Sequence, residues 1–433
     1  MQDMSPDMKR WQRRTLMTLF IGYGGYYVCR SNLSVALPLI HDEFNLTKED
    51  TGTIAAIGVF LYAIGKVTNG VISDFFGGRM MFVLGMLATV CCTVAFGVMS
   101  GILAWTVVWA INRYFQSMGW VSLVKIAARW FPVHRHATTL GILSMSYLIG
   151  DAVARAYLGA FIGIGFGWRG VFMVSAVTFM AIALFSMFTL KSSPREVGLE
   201  EPPVNQANVF GTSGEQSRPE GVWPLLAPLL RNPTFWLICG INFGLTYVRE
   251  TFNLWNPTFL HEVSGVDIKN AALGSLLFPL VGAAAAFLAG RFSDRLKGRH
   301  GRIIFPALVL LVATLAVLAY ADLEGKPGLS LLLTSLVAFF LIAPYSFLSG
   351  VMALDLGGKK GTATTAGFVD SAGYLGGMLG IYLTGKIAEE QGWSAAFGIL
   401  AAICGGTAVV ALIYWIHHER TPLRTDEVDD ASA

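Results

Sequence analysis

Two arginines stand in long apolar stretches and could bind an oxyanion. Arg30 is the only charged side chain between Thr15 and Ile40, and Arg249 lies in TYVRETFN, 219 residues further on. A charged side chain near the centre of a bilayer costs about 2.5 to 3.5 kcal/mol even on lenient scales, so it normally faces a cavity or a partner. Because the planar guanidinium group matches phosphate bidentately, the two arginines predict a site for a phosphate-type anion.

Polar side chains lie at helical spacing around both arginines. They are Tyr23, Tyr26, Tyr27 and Ser34 near Arg30, Asn242, Thr246, Asn253 and Asn256 near Arg249, and a third stripe of Ser144, Tyr147, Asp151 and Arg155. Side chains at this spacing share one face of a helix. The three faces therefore predict a polar cavity.

The deep ionisable groups leave a surplus of two positive charges. The cations are Arg30, Lys66, Arg113, Arg155 and Arg249, and the carboxylates are Asp151, Glu250 and Asp370. If every carboxylate pairs with a base, two positive charges remain for a ligand, which suits a phosphate-type dianion. Asp151 and Arg155 are predicted to be mutual partners because they stand at i, i+4.

Several of these residues have two interpretations. A purely structural ion-pair role is an alternative for Arg30 and Arg249, since Glu250 is close at hand. Lys66 has no obvious local partner and is predicted to face the cavity, whereas Arg113 either faces it or packs against a neighbouring helix. Asp370 braces a helix, pairs with a base or carries a coupling proton.

The composition predicts an all-α membrane protein with twelve transmembrane helices. Of 433 residues, 54% are hydrophobic and 14% charged, with a mean hydropathy of +0.57, whereas about 25% of a soluble domain is charged. Stretches long enough to cross a membrane as helices lie at 15–40, 51–74, 80–100, 102–131, 138–165, 168–190, 233–260, 270–292, 303–321, 329–354, 362–388 and 393–416.

The distribution of charge predicts the topology. Lys and Arg crowd the N-terminus, the central loop and the loop at 291–302, which places both termini and the central loop in the cytoplasm under the positive-inside rule. The polar segment 191–232 reads as a flexible cytoplasmic linker. It separates a six-helix bundle at 1–190 from a second one at 233–433, which ends in a short polar tail.

The two halves carry the same turn pattern. GVISDFFGGR begins at Gly70 and GRFSDRLKGR at Gly290, an offset of 220 that also relates Arg30 to Arg249 within one residue. Such repeats are typical of secondary transporters, which bind substrate at the midplane where the halves meet. Five residues of the two patterns are predicted to form cytoplasmic gating turns: Gly70, Asp74, Arg79, Gly290 and Asp294.

The chain resembles the major facilitator superfamily, and within it the organophosphate:inorganic phosphate antiporter family. The resemblance covers essentially the whole chain and is carried by GYGGYYVCRSNLSVALP at 22–38, YAIGKVTNGVISD at 62–74, QSMGW at 116–120, SSPREVGL at 192–199, NPTFLHEV at 256–263 and ALDLGGKKGTATTAGFVDSAGYLGG at 353–377. It implies a bacterial inner-membrane antiporter, functional as a monomer, in which Arg30 and Arg249 hold the phosphate group and Lys66 matches a lysine of the glycerol-phosphate members.

The substrate-binding residues predicted from the stripes and the resemblance together are Arg30, Arg249, Lys66, Tyr27, Tyr147, Asn253 and Trp120. The chain departs from the family at Ser31, at the segment 121–122 after Trp120 and at Tyr147, where glycerol-phosphate members place a histidine. Asp151 and Arg155 are further departures. The phosphate end of the site therefore matches the family, and the organic end differs.

The expected mechanism is exchange of an organic phosphate for inorganic phosphate. The empty site would hold Arg30 and Arg249 close together, and their repulsion would resist closure until a phosphate neutralises them. A small anionic substrate and membrane lipids are the expected partners. No nucleic acid, cofactor or metal is expected, since the cysteines and histidines show no ligand spacing.

Three other functions stay open. A sister family of proton- or sodium-coupled organic-anion symporters shares R-x-N-L-S-V-A, and it predicts a carboxylate substrate with Asp151, Glu250 or Asp370 titrating. Some members of the resembled family sense sugar phosphates instead of transporting them. An intramembrane enzyme is disfavoured because the deep residues contain no set of nucleophile and base.

Overall fold

The protein is all-helical in the part that its computed structural model describes, which is residues 5–419 except 47, 204, 206, 207, 217, 267 and 297. The helices are α1 (Pro6–Tyr26), α2 (Asn32–Phe44), α3 (Lys48–Phe76), α4 (Gly78–Val98), α5 (Ile102–Gln116), α6 (Met118–Trp130), α7 (His136–Gly163), α8 (Trp168–Thr189), α9 (Val222–Arg231), α10 (Pro233–Ser264), α11 (Ile268–Ser275), α12 (Leu277–Arg295), α13 (Gly301–Tyr320), α14 (Pro327–Phe347) and α15 (Ala353–Glu419). The polar tail at 420–433 lies outside the described residues.

Seven stretches of the described helices are long and apolar enough to cross a membrane. They are Gly52–Phe76, Gly78–Val98, Val133–Gly163, Trp168–Thr189, Leu273–Arg295, Gly301–Tyr320 and Pro327–His417. The last is far longer than one bilayer crossing, and its backbone leaves the helical region at Gly358, Gly361 and Gly392. Gly358 and Gly392 have φ of 57° and 86°, a conformation that glycine adopts at little cost.

Some predicted helices are interrupted. The stretch predicted at 15–40 is two helices, because α1 ends at Tyr26 and α2 begins at Asn32 after a 3-10 turn at Tyr27–Cys29. Gly24 and Gly25 precede the break, and glycine has low helix propensity. The predicted stretch at 102–131 is likewise divided into α5 and α6 around Ser117. The first break places Arg30 outside the helical ladder.

Helices of the two predicted halves meet closely at one end of the molecule. A Cβ on Gly70 of α3 would lie 2.6 Å from the carbonyl oxygen of Ala363, and a Cβ on Gly290 of α12 would lie 2.5 Å from that of Ala137. Only glycine fits such an approach. We call this end, which carries Asp74, Asp294 and the linker, the linker end.

Two carboxylates cap helices across the linker end. Asp74 accepts hydrogen bonds from the backbone N–H groups of Ala363 (3.3 Å) and Thr364 (2.8 Å), in the first turn that follows Gly361. Asp294 accepts from Ala137 (3.1 Å) and Thr138 (2.8 Å) in the first turn of α7. A carboxylate at a helix N-terminus satisfies free N–H groups and interacts favourably with the helix dipole. The linker end is closed by these two contacts.

Lys125 of α6 strengthens the Asp74 contact. Its Nζ lies 2.7 Å from Asp74 Oδ1 and donates to the carbonyl oxygen of Lys359 at 2.5 Å. Lys125 and Asp74 are 1% and 0% exposed. Removing either side chain would therefore leave the other as an uncompensated buried charge. Arg79, the third residue of this turn that is predicted to gate, instead donates to the carbonyl oxygen of Met187 at 2.9 Å.

The linker packs against the start of α15, around the departures from helical geometry at Gly358 and Gly361. Val209 N donates to Leu356 O at 2.9 Å, and Lys359 Nζ lies 2.9 Å from Glu215 and 3.5 Å from Glu201. Glu201 also binds Arg129 of α6 at 2.6 Å. The linker therefore connects α6 to the same part of α15 that Asp74 and Lys125 contact.

Glu201→Gln is expected to loosen the linker. Burial raises the pKa of Glu201, but the hydrogen bond and charge of Arg129, together with the charge of Lys359, lower it further, so the net pKa lies below its ordinary value. The contribution of Glu201 is therefore full at neutral pH and is lost only as pH falls through that lowered value. We expect Glu201→Gln to raise protease cleavage within 191–232 by about fivefold or more at pH 7, since a hydrogen bond to a charged group contributes about 1.5 to 3 kcal/mol.

The matched control is Glu200→Gln, because Glu200 is the adjacent carboxylate and is exposed. It should be cleaved at the wild-type rate. Equal cleavage of the Glu201 variant and the wild type would show that the linker is held by other contacts.

Candidate functional site

One cavity gathers polar side chains from both predicted halves. It is lined by Tyr23, Tyr27, Lys66, Trp120, Ser144, Tyr147, Arg249, Tyr345, Ser346, Ser349, Asp370 and Tyr374. Its volume is ≈ 20 Å³, on the order of one or two water molecules, so it must widen to take a larger ligand. Five predicted substrate-binding residues line it: Tyr27, Lys66, Trp120, Tyr147 and Arg249.

Two predicted substrate-binding residues do not line this cavity. Asn253 is exposed on α10, one helical turn from Arg249. Arg30 lies behind Tyr27, to whose hydroxyl it donates at 2.9 Å. Arg30 is therefore separated from the cavity by a single side chain.

Arg30 is held at the break between α1 and α2 by neutral acceptors. Its Nε donates to Gln116 Oε1 at 3.0 Å, and its second terminal nitrogen donates to the Tyr62 hydroxyl at 3.0 Å. Together with the hydrogen bond to Tyr27, these contacts engage all three guanidinium nitrogens. The arginine is oriented by its neighbours, and none of these three acceptors carries a charge that would offset its own.

Arg249 of α10 has a carboxylate of its own. It forms an ion pair with Glu250, through an Nε to Oε1 contact of 3.0 Å, and its guanidinium carbon lies 4.4 Å from the centroid of the Tyr345 ring. The expected mutual repulsion of Arg30 and Arg249 in the empty protein is therefore reduced, because Glu250 offsets one of the two charges.

Lys66 of α3 pairs with Asp370 of α15. The Nζ to Oδ2 distance is 2.6 Å, and the two side chains are 1% and 6% exposed. This buried pair joins the two predicted halves inside the cavity wall. The partner that Lys66 lacks in its local sequence is supplied 304 residues away.

Asp151 of α7 contacts both α7 and the first break. It lies 3.0 Å from Arg155 Nε and accepts a hydrogen bond from Ser31 at 2.5 Å. Arg155 is 51% exposed, so this pair borders the cavity region and does not lie within it.

A ring of aromatic side chains encloses the cavity. Trp120 of α6 donates from Nε1 to the carbonyl oxygen of Ser349 at 3.0 Å, within the π-helical segment Leu348–Met352 that follows α14. Such π segments frequently occur at functional sites. The buried hydroxyl of Tyr147 has no hydrogen-bond partner among the described residues, which leaves it free to bind a ligand.

Sequence reasoning missed several residues of this region. Tyr62, Gln116, Tyr345 and Tyr374 are neutral, so the cost of burying a charge does not single them out. Tyr62 is nevertheless central: Lys66 Nζ lies 5.1 Å from its ring centroid, and the ring of Tyr374 contacts it at 5.0 Å. The clue in the sequence is its position four residues before Lys66, on the same helical face.

The arrangement suits an anion with an organic part. Arginine and lysine side chains offer hydrogen-bond donors and positive charge, and the tyrosine and serine hydroxyls offer further donors and acceptors. The rings of Tyr23, Trp120 and Tyr147 pack against one another at 5.3 to 6.4 Å between centroids. They form an apolar wall with polar edges, as expected for the site of a small amphipathic ligand.

Known proteins resemble the chain over most of its length. The family described as the Major Facilitator Superfamily matches residues 19–380. A membrane sensor protein, UhpC of Salmonella typhimurium, is 27% identical and aligns over 93% of this chain and 91% of its own. A probable hexose phosphate transport protein of Chlamydia pneumoniae is also 27% identical, over 94% of this chain and 92% of its own.

Among solved structures, the transporter FucP in the outward conformation has the same fold. Its TM-score is 0.73 at 13% identity, with 92% of this chain and 98% of that chain covered. The family match and the two relatives at 27% identity confirm the resemblance to the organophosphate:phosphate antiporter group. They also confirm the predicted location, a multi-pass protein of the inner membrane.

Proposed function

The chain belongs to the Major Facilitator Superfamily, and we propose that it exchanges a phosphorylated small organic anion for inorganic phosphate by alternating access. The superfamily consists of transporters and not, in general, of enzymes. The observation that carries the proposal is the convergence of Lys66 and Arg249 on one cavity, with Arg30 one side chain behind it. The hexose phosphate named for one relative supports a phosphorylated substrate.

The proposed topology has twelve membrane spans in two six-helix bundles, with both termini in the cytoplasm. The spans beyond the seven apolar stretches are the broken helices α1/α2 and α5/α6, α10, and the two parts of α15 on either side of Gly392. In this topology the linker end is cytoplasmic. The described conformation is then closed toward the cytoplasm, and the functional unit is a single chain.

In the proposed mechanism, exchange results from competition between the phosphate and two carboxylates for the cations of the site. A phosphate that reaches the site would compete with Glu250 for Arg249 and with Asp370 for Lys66. Those contacts would draw the two halves together around the ligand, so that only the loaded carrier reorients readily. Reorientation also requires Asp74 and Asp294 to leave the helices that they cap.

A proton-coupled symporter is the second candidate, and one observation favours it. Asp370 is buried against Lys66 in the cavity wall, where a carboxylate could take up a proton when an anion replaces it as the partner of the lysine. A sensor role is the third candidate, since one relative is named a membrane sensor protein. Binding without turnover would identify it.

Uptake into proteoliposomes distinguishes the three candidates. Labelled inorganic phosphate is offered to vesicles loaded with unlabelled phosphate and to empty vesicles, with and without a proton gradient. The proposal expects uptake that needs internal phosphate and ignores the gradient. Absence of both phosphate binding and phosphate uptake would favour the gradient-driven organic-anion symporter, and phosphate binding without uptake would support the sensor.

Asp370→Asn is expected to make stability depend on phosphate. Removing one partner of a buried ion pair costs about 3 to 5 kcal/mol, because the other charge is left uncompensated. The variant should therefore melt at a lower temperature than the wild type. Inorganic phosphate should raise its melting temperature by more than it raises that of the wild type, since the anion supplies the missing partner of Lys66.

The control for this variant is Asp322→Asn, whose carboxylate pairs with Lys326 at an exposed position. Surface pairs of this kind contribute about 0 to 1 kcal/mol, so its melting temperature should stay near that of the wild type. Thermal unfolding in detergent measures both variants. If phosphate raised the melting temperature of Asp370→Asn and of the wild type equally, Lys66 would not be part of the phosphate-binding site.

A further inference from the structure

The positive charges of the site are unevenly compensated. Three of the five predicted deep cations have a carboxylate partner: Lys66 with Asp370, Arg155 with Asp151 and Arg249 with Glu250. Across the described residues, Arg30 and Arg113 have no carboxylate within ion-pair distance. The surplus of two positive charges thus lies on these two arginines, which both belong to the predicted N-terminal half.

Arg30 and Arg113 share one neutral acceptor. Arg30 Nε and Arg113 donate to Gln116 Oε1 at 3.0 Å and 3.1 Å. Two like charges that converge on one oxygen repel each other, and the amide carries no charge to offset them. An anion at this point would interact favourably with both.

The orientation of Gln116 is fixed by its other hydrogen bonds. Its Nε2 donates to the carbonyl oxygen of Cys29 at 3.1 Å and to the side-chain oxygen of Asn112. Asn112 in turn donates to Thr93 Oγ1 at 3.1 Å. Because the amide nitrogen is committed on that side, the Gln116 oxygen must face the arginines.

Both guanidinium groups also lie against one tyrosine. The guanidinium carbons of Arg30 and Arg113 are 4.8 Å and 4.5 Å from the centroid of the Tyr62 ring, and Tyr62 is 1% exposed. Arg113 itself is 8% exposed. The two planar forks are therefore held in place in a buried region, as recognition of an oxyanion requires.

This pair of arginines is one layer of side chains from the cavity. Tyr27 lines the cavity and accepts a hydrogen bond from Arg30. Tyr374 also lines the cavity and contacts the edge of the Tyr62 ring at 5.0 Å. The arginines therefore contact two tyrosines, Tyr27 and Tyr62, of which the first lines the cavity and the second contacts the cavity-lining Tyr374.

We propose that Arg113 is a third phosphate-binding arginine, and that Arg113 and Arg30 form a subsite selective for a doubly charged phosphoryl group. The inference rests on the proposed phosphate exchange and adds a residue and a charge requirement to it. Phosphoryl oxygens would replace Gln116 Oε1 as the shared acceptor. A dianion balances both arginines, whereas a carboxylate or sulfonate leaves one positive charge uncompensated.

Competition for labelled inorganic phosphate on the purified full-length protein tests the charge requirement. The competitors are methylphosphonate, at a pH above its second ionisation, and methanesulfonate, which has a similar shape but a single charge. The wild type should prefer methylphosphonate by about tenfold or more. Arg113→Gln should weaken phosphate binding by about tenfold or more and lose most of that preference, whereas Arg113→Lys should retain the preference.

Gln116→Glu supplies a test that removes neither arginine. A carboxylate at this position would neutralise one of the two charges, so phosphate binding and the preference for methylphosphonate should both fall. Arg169→Gln is the control, since Arg169 pairs with Glu43 at an exposed position away from the cavity. Its phosphate binding and its preference between the competitors should equal those of the wild type.

The outcomes separate this inference from the proposed function. If the wild type binds and exchanges phosphate while Arg113→Gln and Gln116→Glu keep wild-type affinity and preference, the subsite is wrong and the exchange proposal stands. If the wild type neither binds nor exchanges phosphate, both are wrong. A folding defect in Arg113→Gln, detected as a lowered melting temperature without ligand, leaves Gln116→Glu and Arg113→Lys to decide.

Discussion

Arg30→Lys and Arg249→Lys are each expected to reduce phosphate exchange by about 100-fold or more. Lysine keeps the charge but loses the planar fork. At position 30 three different guanidinium nitrogens donate to Gln116, Tyr27 and Tyr62 at 2.9 to 3.0 Å, an arrangement that a lysine ammonium, with all its N–H groups on one atom, does not reproduce. The loss of two charge-assisted hydrogen bonds, each about 1.5 to 3 kcal/mol, corresponds to about two or more factors of ten.

Initial rates of labelled phosphate exchange in proteoliposomes measure this effect. Arg169→Lys is the matched control, because it makes the same substitution at an exposed arginine that pairs with Glu43. It should exchange phosphate at close to the wild-type rate. Wild-type exchange in either the Arg30 or the Arg249 variant would show that the fork geometry of that arginine plays no part in binding.

Asp74→Ala is expected to lower the free energy of unfolding by about 3 to 5 kcal/mol. It leaves Lys125, which is 1% exposed, without its carboxylate, and it removes the acceptor for the N–H groups of Ala363 and Thr364. Exchange should slow as well, because in the proposed alternating-access mechanism this contact stabilises the state that is closed at the linker end. Denaturant unfolding and the exchange assay give the two quantities.

Asp294→Ala provides the internal comparison for this prediction. Asp294 caps α7 in the same way, but among the described residues no cation lies within ion-pair distance of it. Its loss should therefore cost about 1 to 2 kcal/mol, as for a helix cap. A cost for Asp294→Ala equal to that of Asp74→Ala would show that Lys125 adds nothing to the contact.

The cost of burying charge made part of the site predictable from the sequence. Arg30, Lys66 and Arg249 stand out because a charged residue in an apolar stretch needs a cavity or a partner, and the structure gives each of them polar contacts at or next to one cavity. The turn pattern likewise pointed to Asp74 and Asp294, since the same carboxylate recurs 220 residues apart. These features are local in sequence, so they can be recognised in a single sequence without a structure.

The other features of the site could not be predicted, because they depend on contacts between residues that are distant in sequence. The partner of Lys66 is 304 residues away, and Ala363, whose N–H group donates to Asp74, is 289 residues away. Tyr62 and Gln116 carry no charge, and their importance appears only when packing places Arg30 and Arg113 beside both. The break that positions Arg30 was also missed, because an apolar stretch does not show where its helix is interrupted.

The most direct test of phosphate exchange counts both fluxes in one experiment. Vesicles containing the purified protein are loaded with inorganic phosphate carrying one label and placed in inorganic phosphate carrying a second label. We expect one phosphate to leave for each phosphate that enters, and neither label to move when the opposite side contains no phosphate. Phosphate entry into empty vesicles, or phosphate efflux into phosphate-free buffer, would contradict coupled exchange.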